Sequence, residues 1–407
     1  MILAHKIALD PNSAQALYFA RASGVSRFAW NWALAEWKRQ YAEFSEYKCG
    51  PRPSEMSLRK ELNAIKADAF PWMGEVTKNA PQQAIKNLGV AFKNFFDGRA
   101  KYPKFKKKGV SGDSFRADGG TDKLHPNAVT VNGKRVKLPI IGWVKMREAL
   151  RFQGNIKSAT VSRVADRWFV SLTVEVDHTP PVRESQATGG VDLGIKTLAT
   201  LSDGTSFEGP KALRKSLKKL RKLGRAVSRK VKGSANRRKA VARLAQHHAR
   251  VASVRKDSLH KATTAIVQKF TVLGIEGLNV KGMMANGRLA RAVADVGMFE
   301  FRRQLEYKAQ MHGTRIVVAS RWFPSSKTCF DCGDVHVGLT LADREWTCDG
   351  CGVVHDRDLN AAKNLMRFAA SSAVTACGAK GADNIFADVV KPVAVKQESR
   401  RGINAYV

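Results

Sequence analysis

The chain has 407 residues, of which 44% are hydrophobic, so it is long enough for two or three domains and too apolar for wholesale disorder. Lys and Arg number 70 against 35 for Asp and Glu, and the net charge of +35 indicates a polyanionic partner, with nucleic acid favoured over a membrane. Neither an apolar run of about 18 residues nor a secretory signal pattern is present, so no membrane span and no secretion are expected.

The N-terminal part of the chain is predicted to be mostly helical after one short strand. The strand covers Ile2 to Leu9, and Asp10 with the proline after it supplies an N-cap and first turn for a helix. Apolar residues recur among basic ones from Ala14 to Tyr41, with a break expected at Gly24. A second helical stretch is expected from Pro81 to Ala100.

A basic run from Arg99 to Lys108 interleaves lysines with Tyr102 and Phe105. Aromatic faces can stack on bases while ammonium groups meet phosphates, so Lys104 and Lys106 are candidate nucleic-acid contacts. A run of this kind is also typical of a solvated surface, and alone it does not decide between the two interpretations.

Between Ala128 and Val176 the pattern changes to strands separated by turns. Two short strands flank Asn132-Gly133, and two longer strands, at 159–164 and 168–176, flank a second turn. This pattern predicts a small β-barrel or sheet domain. Pro180-Pro181 then begins a polar linker.

A different domain begins after Gly189. The stretch from Val191 to Leu201 is apolar and β-branched, which predicts a buried strand that carries an acid, Asp192. Residues 211–268 are predicted to form two helices broken at Gly233, with an outer face almost entirely of Lys and Arg. Because so many like charges would repel a second copy, a nucleic-acid-facing hairpin is favoured over a dimerising coiled coil.

Two further strands and two helices are predicted in the remainder of the chain. The strands cover 272–275 and 315–320, and a helix covers 296–312 between them. Glu276 ends the first of these strands, and Asp358 starts the last helix. The mixture of Ala, Ser, Gly and Val beyond Phe368 lacks a period and predicts a flexible tail.

Four of the six cysteines form two Cys-x-x-Cys pairs: Cys329, Cys332, Cys348 and Cys351. Two pairs this close can place four thiolates around one tetrahedral Zn²⁺. Because every ligand is Cys, no position stays open for water, and a structural role is favoured over catalysis or a dithiol redox role. Cys49 and Cys377 are isolated and are interpreted as plain thiols, which indicates a reducing cytoplasm.

Three acids occupy distinctive places in this pattern: Asp192, Glu276 and Asp358. Carboxylates from distant positions that converge on one sheet edge would bind two Mg²⁺ ions, one activating water and one stabilising the leaving oxygen of a phosphodiester. Each acid alone has an ordinary explanation as a turn residue, a surface charge or a helix cap. Together, in a chain this basic, they favour a site that hydrolyses nucleic acid.

Four motifs lie around these acids and cysteines: Gly190-Val-Asp-Leu-Gly-Ile-Lys196, Ile275-Glu-Gly-Leu-Asn279, Arg321-Trp-Phe-Pro-Ser-Ser-Lys-Thr-Cys329 and His355-Asp-Arg-Asp-Leu-Asn-Ala-Ala362. Together they resemble TnpB, the protein family of OrfB-type insertion sequences. The resemblance runs from about residue 5 to residue 368 and includes the segment Tyr102-Pro-Lys-Phe-Lys-Lys-Lys108.

The resemblance implies a transposon-encoded, RNA-guided DNA endonuclease related to type V CRISPR effectors. The family's catalytic acids match Asp192, Glu276 and Asp358, and its zinc ligands match the four paired cysteines. The implied fold is an α/β multidomain protein with a RuvC-like (RNase H type) nuclease core, an inserted zinc ribbon, and an N-terminal β-barrel (WED-like) with an inserted helical recognition domain. The implied bounds are 1–10 and 101–182 for the barrel, 11–100 for the recognition domain, 189–320 and 353–368 for the nuclease with its basic hairpin 211–268, 321–352 for the ribbon, and 369–407 for the tail.

The implied partners are a guide RNA from the same transposon and double-stranded target DNA, read mainly by base pairing. The protein is expected to act as a monomer within the ribonucleoprotein, in the prokaryotic cytoplasm and associated with the nucleoid. The resemblance places Lys78 and Gln82 at a short motif beside the transposon end. The resemblance also implies that the basic hairpin contacts the duplex of guide RNA and target DNA strand. The candidate residues for these contacts are Arg214, Lys218 and Arg221.

Three rival functions remain open on the sequence. A non-cleaving RNA-guided regulator of transposition would be expected to lose one or more of the acids, and all three are present. A strand-transfer transposase could use the same acids, because a 3′-hydroxyl can replace water as the nucleophile. A zinc-ribbon DNA-binding factor without activity would leave the strand acid Asp192 and the helix start at Asp358 unexplained.

Overall fold

The computed structural model describes residues 1–47, 52–118, 128–183, 187–340 and 342–376. They form two compact units. The first contains Met1–Pro180 and Lys211–Lys256, and the second contains Pro181–Pro210 and the chain from Asp257 onward. Within the described ranges, no helix has the length and apolar character needed to cross a membrane. Cys49 and Cys377 lie outside these ranges.

The first unit combines helices with antiparallel strands. Its helices are α1 (Ser13–Tyr47), α2 (Glu55–Ala69), a short 3₁₀ helix (Pro71–Glu75), α3 (Asn79–Phe96), α4 (Ala212–Ser228) and the first part of α5 (Ala235–Lys269). Its strands are β1 (Ile2–Ala8), β2 (Ser114–Asp118), β3 (Thr130–Asn132), β4 (Arg135–Leu138), β5 (Gly142–Lys145), β6 (Asn155–Val164) and β7 (Arg167–Glu175).

These strands form two sheets. One has four strands in the order β1-β7-β6-β2, and the other is the meander β3-β4-β5. A single bridge between Leu9 and Met146 joins the end of β1 to the end of β5. Among the described strands, the expected β-barrel is therefore replaced by two sheets, although the hairpin predicted around Gly133 is present.

Helices α1 to α3 and the sheets of this unit share one hydrophobic core. Phe19 of α1 lies with its ring centroid 5.3 Å from that of Trp168 and 5.9 Å from that of Phe115. The implied boundaries at 10 and 100 therefore do not separate two cores. The break predicted at Gly24 is wrong, because α1 continues through it while residues on either side, such as Ala22 and Val25, are buried on one helix face.

The second unit is built on a five-stranded mixed sheet. Its strands are β8 (Thr188–Asp192), β9 (Ala199–Leu201), β10 (Ser206–Phe207), β11 (Val272–Glu276) and β12 (Arg315–Ala319), and a separate hairpin pairs β13 (Glu345–Thr347) with β14 (Val354–Asp356). Its further helices are α6 (Val280–Ala285), α7 (Ala290–Val296), α8 (Met298–His312) and α9 (Arg357–Ala376). The sheet order is β10-β9-β8-β11-β12, in which β8, β11 and β12 run parallel.

Three details of this region differ from the sequence analysis. The strand expected from Val191 to Leu201 is two strands, because β8 ends at Asp192 and β9 returns antiparallel to it. The hairpin residues 211–256 belong to the first unit instead of the second, and Gln246 Nε2 there donates to Asp166 Oδ2 at 3.0 Å. The last helix continues beyond 368 because Ala369 is fully buried, next to Gly274 of β11. Residues 377–407 of the predicted tail lie outside the described ranges.

Candidate active site and cysteine cluster

Asp192 and Glu276 end two neighbouring parallel strands. The register of β8 and β11 pairs Val191 with Ile275, so the next residue of each strand is an acid at the same sheet edge. Neighbouring strands lie about 4.8 Å apart, which is close enough for two carboxylates to interact. The sequence predicted an acid in each strand, and the register explains why they meet.

Helix α9 brings the third acid, Asp358, to this sheet. The helix packs directly on the backbone of β8 and β11 at two glycines. A Cβ atom added to Gly190 would lie 1.9 Å from the carbonyl oxygen of Ala362, and one added to Gly274 would lie 2.1 Å from that of Leu365. No side chain fits at these two positions, so glycine there permits the close approach of helix and sheet. Asp358 lies in the first turn of that helix.

The three carboxylates interact electrostatically. Burial, together with the charges of Glu276 and Asp358, raises the pKa of Asp192 to about 8, while Arg357 acts in the opposite direction. Charge interactions weaken with distance, so these contributions indicate that the carboxylates are near one another. Even so, among the described residues the ligand atoms of the three acids are not all within 4.8 Å of one another, as those of the cysteines are.

Two hydrogen bonds orient the other two acids. Ser325 Oγ donates to Glu276 Oε1 at 2.5 Å, and Arg344 Nη1 lies 3.3 Å from Asp358 Oδ2. Both partners come from the segment between β12 and β14. Neither Ser325 nor Arg344 is predicted individually from the sequence, in which the signal for Ser325 is its place in the motif before Cys329.

Two buried asparagines of α9 hold the loop that carries Ser325. Asn364 Nδ2 donates to the carbonyl oxygens of Ser325 and Thr328, at 2.9 and 2.6 Å. Asn360 Nδ2 donates to the same Thr328 carbonyl oxygen, and its Oδ1 accepts from the Phe330 backbone N–H at 3.0 Å. Asn is a poor helix former, so two buried copies one turn apart are explained by this anchoring role.

The four cysteine sulfurs converge in the way that zinc requires. Cys329 Sγ lies 3.7 Å from Cys351 Sγ, and Cys332 Sγ lies 3.5 Å from Cys348 Sγ. In a tetrahedron with Zn–S bonds of about 2.3 Å, neighbouring sulfurs are about 3.8 Å apart. The donor set and its spacing therefore fit a structural zinc ion.

Each Cys-x-x-Cys pair sits in the same type of turn. In the first turn the N–H of Cys329 donates to the Asp334 carbonyl oxygen, and the N–H of Gly333 donates to the Cys329 carbonyl oxygen. In the second turn the N–H of Cys348 donates to the Val353 carbonyl oxygen, and the N–H of Gly352 donates to that of Cys348. The glycine after the second cysteine of each pair has a positive φ, 85° and 73°. Two similar local turns thus build the cluster.

His355 is a further residue of this cluster. Its Nε2 lies 3.0 Å from Cys329 Sγ, and its ring is buried against Trp346. An imidazole N–H at this distance can donate to a thiolate that binds metal. From the sequence only the cysteines are predicted here, although His355 opens the motif that contains Asp358.

Comparisons with known proteins agree on one family. A family described as "Probable transposase" matches residues 171–287, one described as "Cas12f1-like, TNB domain" matches 299–365, and a "Helix-turn-helix domain" matches 1–46. A "Putative RNA-guided DNA endonuclease" of Streptomyces pristinaespiralis is 40% identical over 92% of this chain and 90% of its own length. The similarly named InsQ of Escherichia coli K12 is 34% identical over 92% of this chain and 94% of its own. The chain belongs to the TnpB family.

A solved structure supports the fold of this TnpB protein. The Cas12f1 chain in a cryo-EM structure of the Cas12f1-sgRNA-target DNA complex superposes with a TM-score of 0.55 at 15% sequence identity. The match covers 86% of this chain and 83% of that one. It confirms an α/β multidomain architecture of the kind expected from the sequence.

The residues proposed for nucleic-acid contacts are mostly on the surface of the first unit. Arg214, Lys218 and Arg221 are exposed on α4, and their spacing of four and three residues places them on one helix face. Lys78 is exposed at the start of α3, and Gln82 is half-buried in its first turns.

Lys104 and Lys106 differ from each other. Lys104 is exposed, whereas Lys106 Nζ lies 3.8 Å from the centroid of the Trp30 ring and is half-buried there. Burial lowers the pKa of Lys106, and Arg27 lowers it further. Lys106 is therefore engaged in packing, which leaves Lys104 as the stronger candidate for a phosphate contact.

Proposed function

We propose that this protein is an RNA-guided DNA endonuclease that hydrolyses phosphodiester bonds at a RuvC-like (RNase H type) site. The observation that carries the proposal is the convergence of Asp192, Glu276 and Asp358 on one edge of the sheet of the second unit. The names of its relatives, at 34% and 40% identity over nearly their whole length, supply the class of activity.

The acid site fits divalent metal ions of the Mg²⁺ type. Its donors are carboxylate oxygens, which Mg²⁺ prefers. Burial and the charges of Glu276 and Asp358 raise the pKa of Asp192, and cations bound between the acids would offset both. Asp192, Glu276 and Asp358 would hold two such ions. When bound, they activate a water molecule and stabilise the leaving oxygen of the phosphodiester.

The residues around the acids have separate roles in this proposal. Ser325 keeps one oxygen of Glu276 directed by its hydrogen bond, and Arg344 does the same for Asp358. The loop held by Asn360 and Asn364 fixes Ser325 relative to the start of α9. The four cysteines bind one structural Zn²⁺ ion, which stabilises the segment that supplies both partners.

The charge of the chain fits two nucleic-acid partners. A net charge of +35 favours binding to the phosphate backbones of a guide RNA and of its target strand, while base pairing selects the sequence. Exposed Arg214, Lys218 and Arg221 would contact a phosphate backbone from one face of α4. Lys78 and Gln82 are proposed to contact the short motif beside the target. We propose one protein copy per ribonucleoprotein.

The experiment begins with the protein expressed from its native locus and purified, and the RNA that copurifies is sequenced. Double-stranded DNA that matches this RNA should be cut in Mg²⁺, and Asp192→Ala or Glu276→Ala should abolish cutting but leave RNA-dependent DNA binding intact. Asp257→Ala, at an exposed acid of α5, is the matched control and should cut normally. Loss of both binding and cleavage in the acid variants would instead indicate a structural role.

Strand transfer is a second candidate, favoured by the match of residues 171–287 to a family described as "Probable transposase". The same acids could direct a DNA 3′-hydroxyl in place of water. The products distinguish the two reactions, because hydrolysis leaves two free ends whereas strand transfer joins one end to a new strand. Joined products that depend on Asp192 would favour transfer.

A further inference from the structure

A cavity of about 420 Å³ opens within the second unit, beside the sheet edge where Asp192, Glu276 and Asp358 come together, here called the acid edge. Glu276 forms part of its wall, and so does Leu193, the residue after Asp192. The remaining walls come from the start of α6 and from α8. The cavity is thus continuous with the proposed site of phosphodiester hydrolysis.

The interior of this cavity is apolar and its rim is mixed. Ile275, Met298, Phe301 and Leu305 are buried and form the interior surface. Phe299 also contributes to the cavity, yet 69% of its surface is exposed, which places an aromatic ring at the opening. An exposed aromatic ring at this position offers a face on which a base can stack.

Charged groups surround the opening. Lys281, Arg302 and Arg303 lie among its lining residues together with Glu306. Arg302 pairs with Glu306 and Arg303 with Glu300, so the arginines are held in place along α8. This combination of an aromatic ring, apolar walls and positive charge is typical of sites that bind unpaired nucleotides.

We propose that the cavity binds the unstacked base of a nucleotide next to the bond that is cut, with Phe299 stacked on it. The inference rests on the proposed endonuclease function. Base and phosphate of one nucleotide are joined through a single sugar, so a strand whose phosphate lies at Glu276 carries a base within reach of a cavity that Glu276 itself lines. Binding this base fixes the phosphate relative to the acids, which makes Phe299 a positioning residue.

The test removes either the ring or the base. Target DNAs carry a single abasic residue at successive positions on both sides of the cut and are cleaved by the protein with its guide RNA. For wild type, one position should reduce the cleavage rate about tenfold, as expected for the loss of one stacking contact. Phe299→Ala should show a similar reduction on intact DNA and no further reduction on that abasic DNA.

Two variants serve as controls in this design. Trp143→Ala removes a partly exposed aromatic ring from the first unit and should keep the full sensitivity to the abasic position. Leu278→Trp fills the cavity from its wall and should lower the rate as Phe299→Ala does. Reductions from Phe299→Ala and from the abasic residue that multiply, or the absence of any sensitive position, would overturn the inference.

A binding measurement separates this inference from the endonuclease proposal. In a complex made inactive by Asp358→Ala, 2-aminopurine at the sensitive position should be quenched by stacking, and adding Phe299→Ala should remove the quenching. If wild type cuts no DNA, the endonuclease proposal fails, and 2-aminopurine scanned along both strands still tests the cavity. No quenching at any position would assign the cavity to another occupant, such as an apolar protein side chain.

Discussion

The acid edge and the cysteine cluster belong to the same unit but are assembled in opposite ways. The cysteines are brought together by two similar local turns, each closed by its own backbone bonds. The acids come from two strands and a helix, and only the packing of α9 on Gly190 and Gly274 brings the third one close. One site is thus built from local structure and the other from tertiary structure.

Their energetics differ in the same sense. Four thiolates bound to zinc stabilise the fold, because metal binding contributes directly to folding. The buried Asp192 carboxylate beside Glu276 and Asp358 opposes it when ionised, because burial and the neighbouring charges raise the pKa of Asp192. A stable cluster and a strained one are connected through the loop that Asn360 and Asn364 hold. Mutations at each site should therefore have separable effects.

Gly190→Ala should have the largest effect on the acid edge. The new Cβ would meet the Ala362 carbonyl oxygen, so α9 must move away from β8, at an expected cost of about 3 kcal/mol of unfolding free energy. Cleavage should be lost while zinc, measured by metal analysis, is retained. Gly287→Ala, where no atom lies within 4 Å of the added Cβ, should change stability by less than about 0.5 kcal/mol. Equal effects of the two substitutions would contradict this account of α9 packing.

Cys329→Ser is the corresponding change in the cysteine cluster. Loss of one of four thiolates should release zinc and lower the melting temperature, because the two turns then lack the metal ion that joins them. Cys49→Ser, at a cysteine outside the two pairs, should keep the zinc. A Cys329→Ser protein that stays folded with a full complement of zinc would refute the ligand assignment.

Ser325→Ala tests the connection between the two sites. The variant loses a hydrogen bond to a charged carboxylate, and we expect cleavage to slow about tenfold, with a higher Mg²⁺ concentration needed for half-maximal rate. Ser325→Thr keeps the hydroxyl and should restore part of the rate. Ser326→Ala is the neighbouring control and should cleave as wild type does. An unchanged Mg²⁺ dependence in Ser325→Ala would indicate that the hydroxyl does not orient Glu276.

Much of the acid site could be predicted from the sequence because its signals are local. Asp192 stands in an apolar β-branched stretch, Glu276 at the end of a short apolar strand and Asp358 in the first turn of a helix, and these patterns are visible in the residues themselves. The four cysteines were equally visible through their spacing. The two glycines that admit α9 could not be assigned this role, because their requirement arises from a helix more than eighty residues away in one case and about 170 in the other.

The errors have the same origin. The end of the last helix was placed too early because residues after 368 lack a polar face to mark a helix, yet Ala369 is buried against β11. The hairpin 211–256 was grouped by sequence order, whereas its contacts, such as that between Gln246 and Asp166, are with the first unit. Ser325 and His355 were missed as contacts because their partners, Glu276 and Cys329, are distant in sequence. Contacts between distant positions are decided by the fold and leave no local pattern.

Asp192→Asn should change stability least near pH 5, where Asp192 is protonated in the folded protein, and it bears most directly on the charge repulsion at the acid edge. The pKa of Asp192 rises from an ordinary 3.8 to about 8, so between these values the folded protein retains a proton that the unfolded chain has lost. By linkage, the stability of the metal-free protein falls as pH rises through this window. Asn at 192 carries no charge, so the melting temperature of the variant should exceed that of wild type by a margin that grows from about pH 5 to about pH 8.

Magnesium should reduce this difference in melting temperature between Asp192→Asn and wild type. Cations between the acids compensate the charge of Asp192, so Mg²⁺ should raise the melting temperature of wild type near pH 8 and have little effect on Asp192→Asn. Asp257→Asn, at an exposed acid of α5, should follow wild type throughout. A margin between Asp192→Asn and wild type that is the same at every pH would show that the stability difference does not come from the charge at 192. The acid edge would then lack the repulsion that distinguishes it from the cysteine cluster.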